Sequence, residues 1–287
     1  MRIRLDWFGE KLAQRLADLE AGRIAPAAPR DAATVMLLRP AGVGAGVEVL
    51  MLRRVAAMKF APGAYVFPGG SVDPADHDAP VGWHGPDPAE FGARLGASAE
   101  MARALVCAAV RETFEEAGVL LAGAPDGGPV ADPSGPSWEA DRAALVAGTL
   151  TLAELLSRRG LVLRADLLVP WARWITPEGE PRRFDARFFA AALPAGQLAT
   201  GHAAESDHIA WLRPGDAIES ARAGQISMLP PTATTLHDFA VAGAVDGGDA
   251  VAAILGRRPV IEPVVPRLVL EDGQAWLYVP DEVGYPL

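Results

Sequence analysis

The stretch that decides the fold is Arg111-Glu-Thr-Phe-Glu-Glu-Ala-Gly118, which follows a long apolar segment. It predicts the last turns of a helix, because Gly118 readily takes the left-handed conformation in which helices end. On a helix, Glu112, Glu115 and Glu116 stand at positions i, i+3 and i+4. Their carboxylates are therefore expected to lie on one face.

Three carboxylates on one helix face need an explanation, because they oppose folding. Two full charges about 6 Å apart repel by about 3 kcal/mol at an effective dielectric constant of about 20. Glu115 and Glu116 also lie in the last turn, where the helix dipole disfavours anions by up to about 1 kcal/mol. A bound divalent cation offsets both effects, and an oxygen-only ligand set suits Mg²⁺ or Mn²⁺. The alternative is a solvated acidic face without a ligand.

Composition excludes several classes of protein. The 287 residues include 26 Lys and Arg against 36 Asp and Glu, which gives a formal net charge of −10, and one cysteine. This length suits one large domain or two small ones. The negative charge argues against a protein that holds nucleic acid by neutralising phosphates. A single cysteine excludes an internal disulfide framework and zinc sites with two or more cysteines.

The sequence does not predict a membrane segment or a secretory leader. The longest uncharged apolar run near the middle of the chain, Ala104–Val110, is too short to span a bilayer. Charges at Arg2, Arg4, Asp6 and Glu10 interrupt the amino terminus, so no signal-peptide core forms. We therefore expect a cytoplasmic protein that has no membrane partner.

The rest of the chain predicts a mixed α+β domain with additions at both ends. A helix over Trp7–Ala21 and a linker at Arg23–Arg30 precede a β-hairpin of Ala33–Arg39 and Val47–Arg53. The segment Asp73–Gly96, rich in Pro, Gly, Asp and His, predicts an inserted surface loop. Further predicted elements are a helix over Ser98–Ala117, a helix from the capping box at Thr151 to Gly160, strands over Trp171–Ile175, Phe184–Ala192 and His208–Leu212, helices around Pro214–Ala223 and Pro231–Val241, and a terminal hairpin of Leu268–Leu270 and Ala275–Val279.

Taken with the glycines that precede it, the acidic helix resembles the Nudix box, in which a glycine leads to Arg-Glu-x-x-Glu-Glu-x-Gly on a loop–helix–loop. The matching positions are Gly70, Arg111, Glu112, Glu115, Glu116 and Gly118. By this resemblance the chain is identified as a member of the Nudix, or MutT-like, hydrolases. The resemblance implies an α+β fold, an α/β/α sandwich around a mixed sheet, here with an inserted loop region and extra terminal segments.

The spacing departs from the usual box at one place. The box has thirteen residues between its glycine and its arginine, whereas residues 71–110 make forty, so about 27 are inserted. Counted back from Arg111, the first glutamate of the box falls on Arg103. Glu100 and Asp73 are the candidates for that carboxylate.

Further motifs narrow the resemblance. Four motifs follow one another along the chain: Phe67-Pro-Gly-Gly-Ser-Val-Asp73, the acidic part of the box, Pro170-Trp-Ala-Arg-Trp-Ile-Thr-Pro177 and Arg182-Arg-Phe-Asp-Ala-Arg-Phe-Phe189. This order resembles the branch that includes the animal peroxisomal coenzyme A diphosphatase, over roughly Asp31–Thr232. The branch implies hydrolysis of the diphosphate in coenzyme A or acyl-coenzyme A.

The signature of coenzyme A hydrolases upstream of the box is only partly present. Arg54, Gly63 and Phe67–Gly70 fit it, but its histidine falls on Ala61 and its serine on Val55. A hydrolase of NADH, ADP-ribose or another nucleoside diphosphate derivative is therefore an alternative. An alternative of another class is a catalytically silent regulatory protein that binds a nucleotide, and the retained carboxylates argue against it.

The resemblance assigns a Mg²⁺ or Mn²⁺ ion to Glu112, Glu115, Glu116 and the backbone carbonyl of Gly70. In such a site the metal neutralises phosphate charge and lowers the pKa of the attacking water. The ligands would thus be supplied by one helix face and the loop that precedes it.

The resemblance also implies catalytic roles for Glu115 and Glu116, and for Arg111, which would orient the carboxylates through charge-assisted hydrogen bonds. Glu205, which comes just before a predicted strand, is the candidate for a further acid or base from a later loop. The candidate substrate-binding residues are Arg54, Arg182 and Arg183. Cys107 lies in an apolar helix segment and is expected in the core.

We expect three parts of the chain: residues 1–30 as an amino-terminal helix and linker, 31–242 as the Nudix domain with its insertion at about 73–98, and 243–287 as an extension that packs on the domain. The extra terminal segments and the family favour a homodimer as a hypothesis. The expected partner is otherwise a small-molecule diphosphate and not a nucleic acid.

Overall fold

The computed structural model describes residues 1–4, 10–42, 46–55, 62–77, 80–201, 206–244 and 248–287. Its strands are β1 (Arg2–Arg4), β2 (Arg30–Pro40), β3 (Val47–Arg54), β4 (Ala64–Val66), β5 (Gly69–Ser71), β6 (Trp83–His84), β7 (Ala122–Gly123), β8 (Val162–Arg164), β9 (Val169–Ile175), β10 (Phe184–Ala192), β11 (Ser206–Leu212), β12 (Ser227–Met228), β13 (Pro263–Val264), β14 (Arg267–Glu271) and β15 (Gln274–Tyr278). Its α-helices are α1 (Glu10–Glu20), α2 (Pro74–His77), α3 (Pro88–Leu95), α4 (Ala99–Ala117), α5 (Pro136–Val146), α6 (Leu152–Arg158), α7 (Pro214–Arg222), α8 (Pro230–Ala242) and α9 (Ala250–Leu255).

A large mixed sheet forms the centre of the domain. Its strand order is β12-β4-β3-β2-β10-β9-β13, with β11 paired to β3 and β5 paired to β2. Strand β2 runs antiparallel to β3, which confirms the predicted hairpin, and parallel to β10. The predicted strands over 171–175, 184–192 and 208–212 correspond to β9, β10 and β11.

Both faces of this sheet are covered by helices. In β2, Val35 and Leu37 belong to the core that contains α4, whereas Met36 and Leu38 belong to the core that contains α7, α8 and α9. Successive residues of a strand point to opposite faces, so a strand buried on both sides is apolar throughout. The expected α/β/α sandwich is therefore confirmed.

Helix α4 carries the acidic segment and has the predicted ends. The Ser98 side chain caps it by accepting a hydrogen bond from the Met101 amide at 3.2 Å. Gly118 ends it in the left-handed region, at φ 66°. Its middle, from Ala104 to Val110, is fully buried. The helix is thus anchored in the core, and it also contacts β5.

The segment Asp73–Gly96 is not the surface loop that its composition suggests, and that prediction is wrong. It contains α2, β6 and α3, and only residues 78–79 of it lie outside the described ranges. Asp87 forms a capping box and Pro88 takes the first helical position, so residues typical of loops here begin a helix. Phe91 and Leu95 of that helix are buried in the core with α4.

The two ends of the chain meet in a small sheet. Strands β14 and β15 form the predicted terminal hairpin, with positive φ at Asp272 (49°) and Gly273 (75°), as a tight hairpin turn requires. Strand β1 pairs antiparallel with β15. Helix α9 buries Ile254 in the same core as Met36. The division of the chain at residues 30 and 242 stays our proposal.

Candidate active site

The site lies where β5 passes the last two turns of α4. Strand β5 pairs antiparallel with Ala32–Thr34 of β2. A side chain at Gly69 would lie 2.7 Å from the Thr34 Cα, and one at Gly70 would overlap the Glu112 carboxylate. Two glycines are therefore needed at this point, because they allow the chain to approach both the sheet and the acidic helix.

Glu112, Glu115 and Glu116 lie on one face of α4, as their spacing predicts. The Gly69 amide donates to Glu116 Oε2 at 2.9 Å. Arg111 Nη1 donates to Glu112 Oε1 at 2.8 Å and to Glu115 Oε1 at 3.3 Å. The side chains of Glu112 and Glu115 are each 14% exposed, so the carboxylates are held near the surface and reachable from solvent.

Arg111 is the centre of this arrangement. Its Nε and Nη2 donate to the two carboxylate oxygens of Asp76, at 3.1 and 2.9 Å, and Nη2 also donates to the Ser71 carbonyl at 3.0 Å. Burial by itself lowers the pKa of the Arg111 guanidinium. The hydrogen bonds to Asp76 and the charges of Glu112 and Glu115 outweigh burial and raise that pKa above its ordinary value. The guanidinium stays charged and fixes four groups at once.

Asp76 is the site residue that sequence reasoning missed. Its side chain is 2% exposed, whereas Glu100 and Asp73, the candidates from sequence, are both exposed. A signal was present in the sequence. The box puts its first carboxylate six residues after its glycine, and counting forward from Gly70 gives Asp76. The insertion therefore follows the first carboxylate instead of preceding it.

Arg103 occupies the position of the first glutamate of the box when that position is counted back from Arg111, but it has another role. Its Nη2 donates to the Val81 carbonyl at 2.9 Å, and its guanidinium lies 5.7 Å from the Trp83 ring centroid. Both partners belong to the insertion. Arg103 thus fastens the inserted segment onto the helix that carries the glutamates.

The donor set fits a hard divalent cation, because carboxylate and carbonyl oxygens are the ligands that Mg²⁺ and Mn²⁺ prefer. Gly70 comes so close to the Glu112 carboxylate that a side chain at position 70 would overlap it. Within the described ranges, no three acidic, His or Cys groups already converge as a ligand set. Glu112 and Glu115 both accept from Arg111, whereas Glu116 accepts from the Gly69 amide. A cation held by all three carboxylates therefore requires their side chains to rotate toward one another.

The candidate substrate-binding arginines occupy different environments. Arg54 is half-buried at the end of β3, opposite Ser206 of β11, and Arg182 is exposed. Arg183 is 8% exposed and donates to the carbonyls of Thr176 and Ala27, at 2.9 and 2.8 Å. The contacts of Arg183 favour a structural role. Glu205 lies outside the described residues.

One other sequence expectation concerns the core, where two tryptophans are also buried. Cys107 is fully buried, and burial raises the pKa of its thiol to about 12, so the thiol stays protonated. Trp171 and Trp174 are each 5% exposed, and Trp171 packs edge-on against Phe239 at 4.8 Å between ring centroids. These three side chains therefore belong to the hydrophobic core.

Comparison with known proteins identifies the family. The sequence profile described as the NUDT19 Nudix domain matches residues 88–238, just over half of the chain. The chain therefore belongs to the Nudix hydrolase family, whose members generally use a divalent metal. A crystal structure of a Nudix hydrolase from Alicyclobacillus acidocaldarius has 29% sequence identity, a TM-score of 0.65 and coverage of 81% of this chain and 98% of that one. The fold is the Nudix fold.

The relatives point to one branch of that family. The chain is 30% identical over 251 residues to the acyl-coenzyme A diphosphatase NUDT19 of Homo sapiens, covering 70% of this chain and 66% of the relative. It is 32% identical over 187 residues to the putative nudix hydrolase 7 of Caenorhabditis elegans, covering 64% of this chain and 52% of the relative. The chain thus spans about half to two thirds of the length of these relatives. Among the described residues, no helix is long and apolar enough to cross a membrane.

Proposed function

We propose that this protein is a metal-dependent diphosphatase whose substrate is coenzyme A or acyl-coenzyme A. The observation that carries the proposal is the Arg111 network, in which one partly buried guanidinium holds Asp76 and two glutamates of α4 beside the glycines of β5. The network supports a Nudix box in which Asp76 takes the place of the first carboxylate. The name of the human relative, acyl-coenzyme A diphosphatase, supports the choice of substrate.

The proposed work of each residue follows from its position. Glu112, Glu115, Glu116 and the Gly70 carbonyl would hold Mg²⁺ or Mn²⁺, which when bound neutralises phosphate charge and lowers the pKa of water. Arg111 orients Glu112 and Glu115 through its hydrogen bonds. Asp76 holds the guanidinium in place by accepting two hydrogen bonds from it.

Residues outside the helix complete the proposed site. Glu205 is proposed as an acid or base in the reaction, since it comes directly before β11. Arg54 and Arg182 are proposed to contact substrate phosphates. Arg183 belongs to the same sequence prediction, although its described contacts are to backbone carbonyls.

One observation favours a second candidate substrate. The coenzyme A signature has Ala61 and Val55 in place of its histidine and serine. A pyrophosphatase acting on NADH, ADP-ribose or another nucleoside diphosphate derivative would use the same carboxylates without that signature. The silent regulatory alternative is disfavoured because the Arg111 network is complete.

A substrate panel tests the proposal. Purified protein is assayed with Mg²⁺ and with Mn²⁺ on coenzyme A, acetyl-coenzyme A, NADH and ADP-ribose, and the products are identified by mass. We expect coenzyme A and its thioester to yield phosphopantetheine products and adenosine 3′,5′-bisphosphate. Turnover of NADH or ADP-ribose alone would replace the substrate but keep the site. Nucleotide binding without any turnover would favour the regulatory alternative.

The cytoplasmic location, the homodimer and the absence of a nucleic-acid partner also remain proposals. The net charge of −10 supports the last of these, because it repels phosphate backbones. Sedimentation of the purified chain tests the dimer directly.

A further inference from the structure

Helix α5 contributes one buried cation, Arg142, to the carboxyl-terminal end of α4. Arg142 is 4% exposed, and Leu145 is the other buried residue that α5 contributes. A buried guanidinium needs partners for its donors, because an unpaired buried charge is strongly unfavourable. Arg142 finds most of them outside its own helix.

The partners of Arg142 belong to two separate parts of the chain. Its Nε donates to the Glu115 carbonyl at 2.9 Å. Its Nη1 donates to Thr200 Oγ1 at 3.0 Å, and its Nη2 donates to the Thr200 carbonyl at 2.8 Å. The nearest carboxylate oxygen belongs to Glu139, which is 58% exposed and 3.8 Å away. The guanidinium is therefore held mainly by the last turn of α4 and by Thr200.

The last turn of α4 depends on these contacts. The final four carbonyls of a helix lack partners within the helix. Here Phe114 O accepts from the Gly118 amide at 2.9 Å, Glu115 O accepts from Arg142, and Ala117 O accepts from the Thr200 amide at 2.8 Å. A cation at this end of a helix is also favourable for the helix dipole.

Residues 197–200, here called the 197–200 segment, are fixed along the end of α4. Gln197 is 2% exposed, and its side chain accepts from the Leu120 amide and donates to the Leu120 carbonyl, both at 2.9 Å. At the other end of the segment, the Thr200 amide donates to the Ala117 carbonyl. Position 118 requires a glycine here, because a side chain would lie 2.5 Å from Thr200 Oγ1. The chain then continues to β11, which begins at Ser206.

We propose that Arg142 is a positioning residue for the Nudix reaction: it fixes the turn that carries Glu115 and Glu116 against the 197–200 segment. This inference rests on the proposed function, because it concerns the geometry of the same carboxylates. Arg142 does not touch the substrate in this account. It acts through the Glu115 backbone and through Thr200.

The test compares Arg142→Met with Arg159→Met. Arg159 is a matched control, because its side chain donates to Asp141 and Ser137 of α5 and stacks on Trp138. Mn²⁺ binding is measured by titration without substrate, and kcat and KM for coenzyme A are measured separately. We expect Arg142→Met to weaken Mn²⁺ binding and lower kcat, each by about tenfold or more, as is usual when groups that orient metal ligands are removed. KM should change little, and Arg159→Met should leave all three near the wild-type values.

A second pair of variants guards against misfolding. Thr200→Val removes the hydroxyl that accepts from Arg142 but keeps the shape of the side chain, and Thr200→Ser restores the hydroxyl. Thr200→Val should reproduce part of the Arg142→Met loss, and Thr200→Ser should recover wild-type behaviour. Unchanged Mn²⁺ binding and kcat in both Arg142→Met and Thr200→Val would overturn the inference. Wild-type protein that binds no Mn²⁺ would instead contradict the proposed function.

Discussion

Asp76 and Arg111 are joined by two parallel hydrogen bonds, 3.1 and 2.9 Å long, across 35 positions of sequence that include a folded insertion. The pair connects α2, the short helix after β5, to the helix that carries Glu112, Glu115 and Glu116. Because Arg111 also donates to Glu112 and Glu115, the orientation of the carboxylates depends on an aspartate outside their helix. This dependence leads to the first prediction.

Asp76→Asn should lower both stability and activity. Removing one partner of a buried ion pair costs about 3–5 kcal/mol, and the remaining contacts of Arg111 reduce that cost here. Loss of the orienting contact should lower turnover by about tenfold to a hundredfold. Denaturant unfolding and turnover of coenzyme A measure the two effects. Asp73→Asn, at an exposed position three residues away, is the control, and equal behaviour of the two variants would contradict the role of Asp76.

Glu115→Gln and Glu116→Gln should separate activity from stability. Each change removes a charge that repels its neighbours, so the free energy of unfolding should stay the same or rise slightly. Turnover should fall by at least about a hundredfold, the size of effect typical for lost proton transfer or metal ligation. Thermal unfolding and metal-dependent turnover are compared in the same preparations. Normal activity with normal metal dependence in both variants would show that the site lies elsewhere.

Gly70→Ala tests the close approach of β5 to α4. The added methyl group would overlap the Glu112 carboxylate and should push it from its position, weakening Mn²⁺ binding and turnover together. Gly128→Ala is a suitable comparison, because a side chain there meets no atom within 4 Å. If Gly70→Ala binds Mn²⁺ as tightly as Gly128→Ala, the Gly70 backbone is not part of the metal site.

Phe91→Ala tests whether the insertion is a structural part of the domain. Phe91 is 3% exposed and packs against Trp83 and Phe189, with ring centroids 6.1 and 6.3 Å away. Truncating a buried phenylalanine costs about 3–5 kcal/mol. Val260→Ala, at a position 85% exposed, should change the free energy of unfolding by less than about 0.5 kcal/mol. A similarly small loss for Phe91→Ala would mean that the insertion is detached from the core.

The adjacent Arg182 and Arg183 should respond differently to the same change. Arg183→Met removes two hydrogen bonds from a buried guanidinium and should cost about 2 kcal/mol or more of stability, with little change in KM. Arg182→Met alters an exposed side chain and should leave stability intact while it raises KM for a phosphate-bearing substrate. Unfolding curves and steady-state kinetics distinguish the two roles. A raised KM in Arg183→Met with unchanged stability would reverse this assignment.

Local spacing predicts the acidic helix well. The positions of Glu112, Glu115 and Glu116 fix their common face, and Ser98 and Gly118 fix the ends of α4, because these properties depend on residues close in sequence. The hairpin turn at Asp272 is predictable for the same reason.

Long-range contacts explain what sequence reasoning missed. Counting backward from Arg111 does not lead to Asp76, because the insertion lies between these two residues. Helix α3 is not predicted from the sequence, because Asp87 and Pro88 are typical both of loops and of helix starts. No local pattern marks Arg142 either, since its partners lie 27 and 58 residues away.

The most direct test of the central claim is the turnover of coenzyme A by wild-type protein and by Glu116→Gln, each with Mn²⁺ and with a chelator, with the products identified by mass. We predict adenosine 3′,5′-bisphosphate and phosphopantetheine from the wild type with metal, and nearly none from the variant or after chelation. Equal cleavage by both proteins, or cleavage that persists with the chelator, would contradict a metal-dependent site on α4.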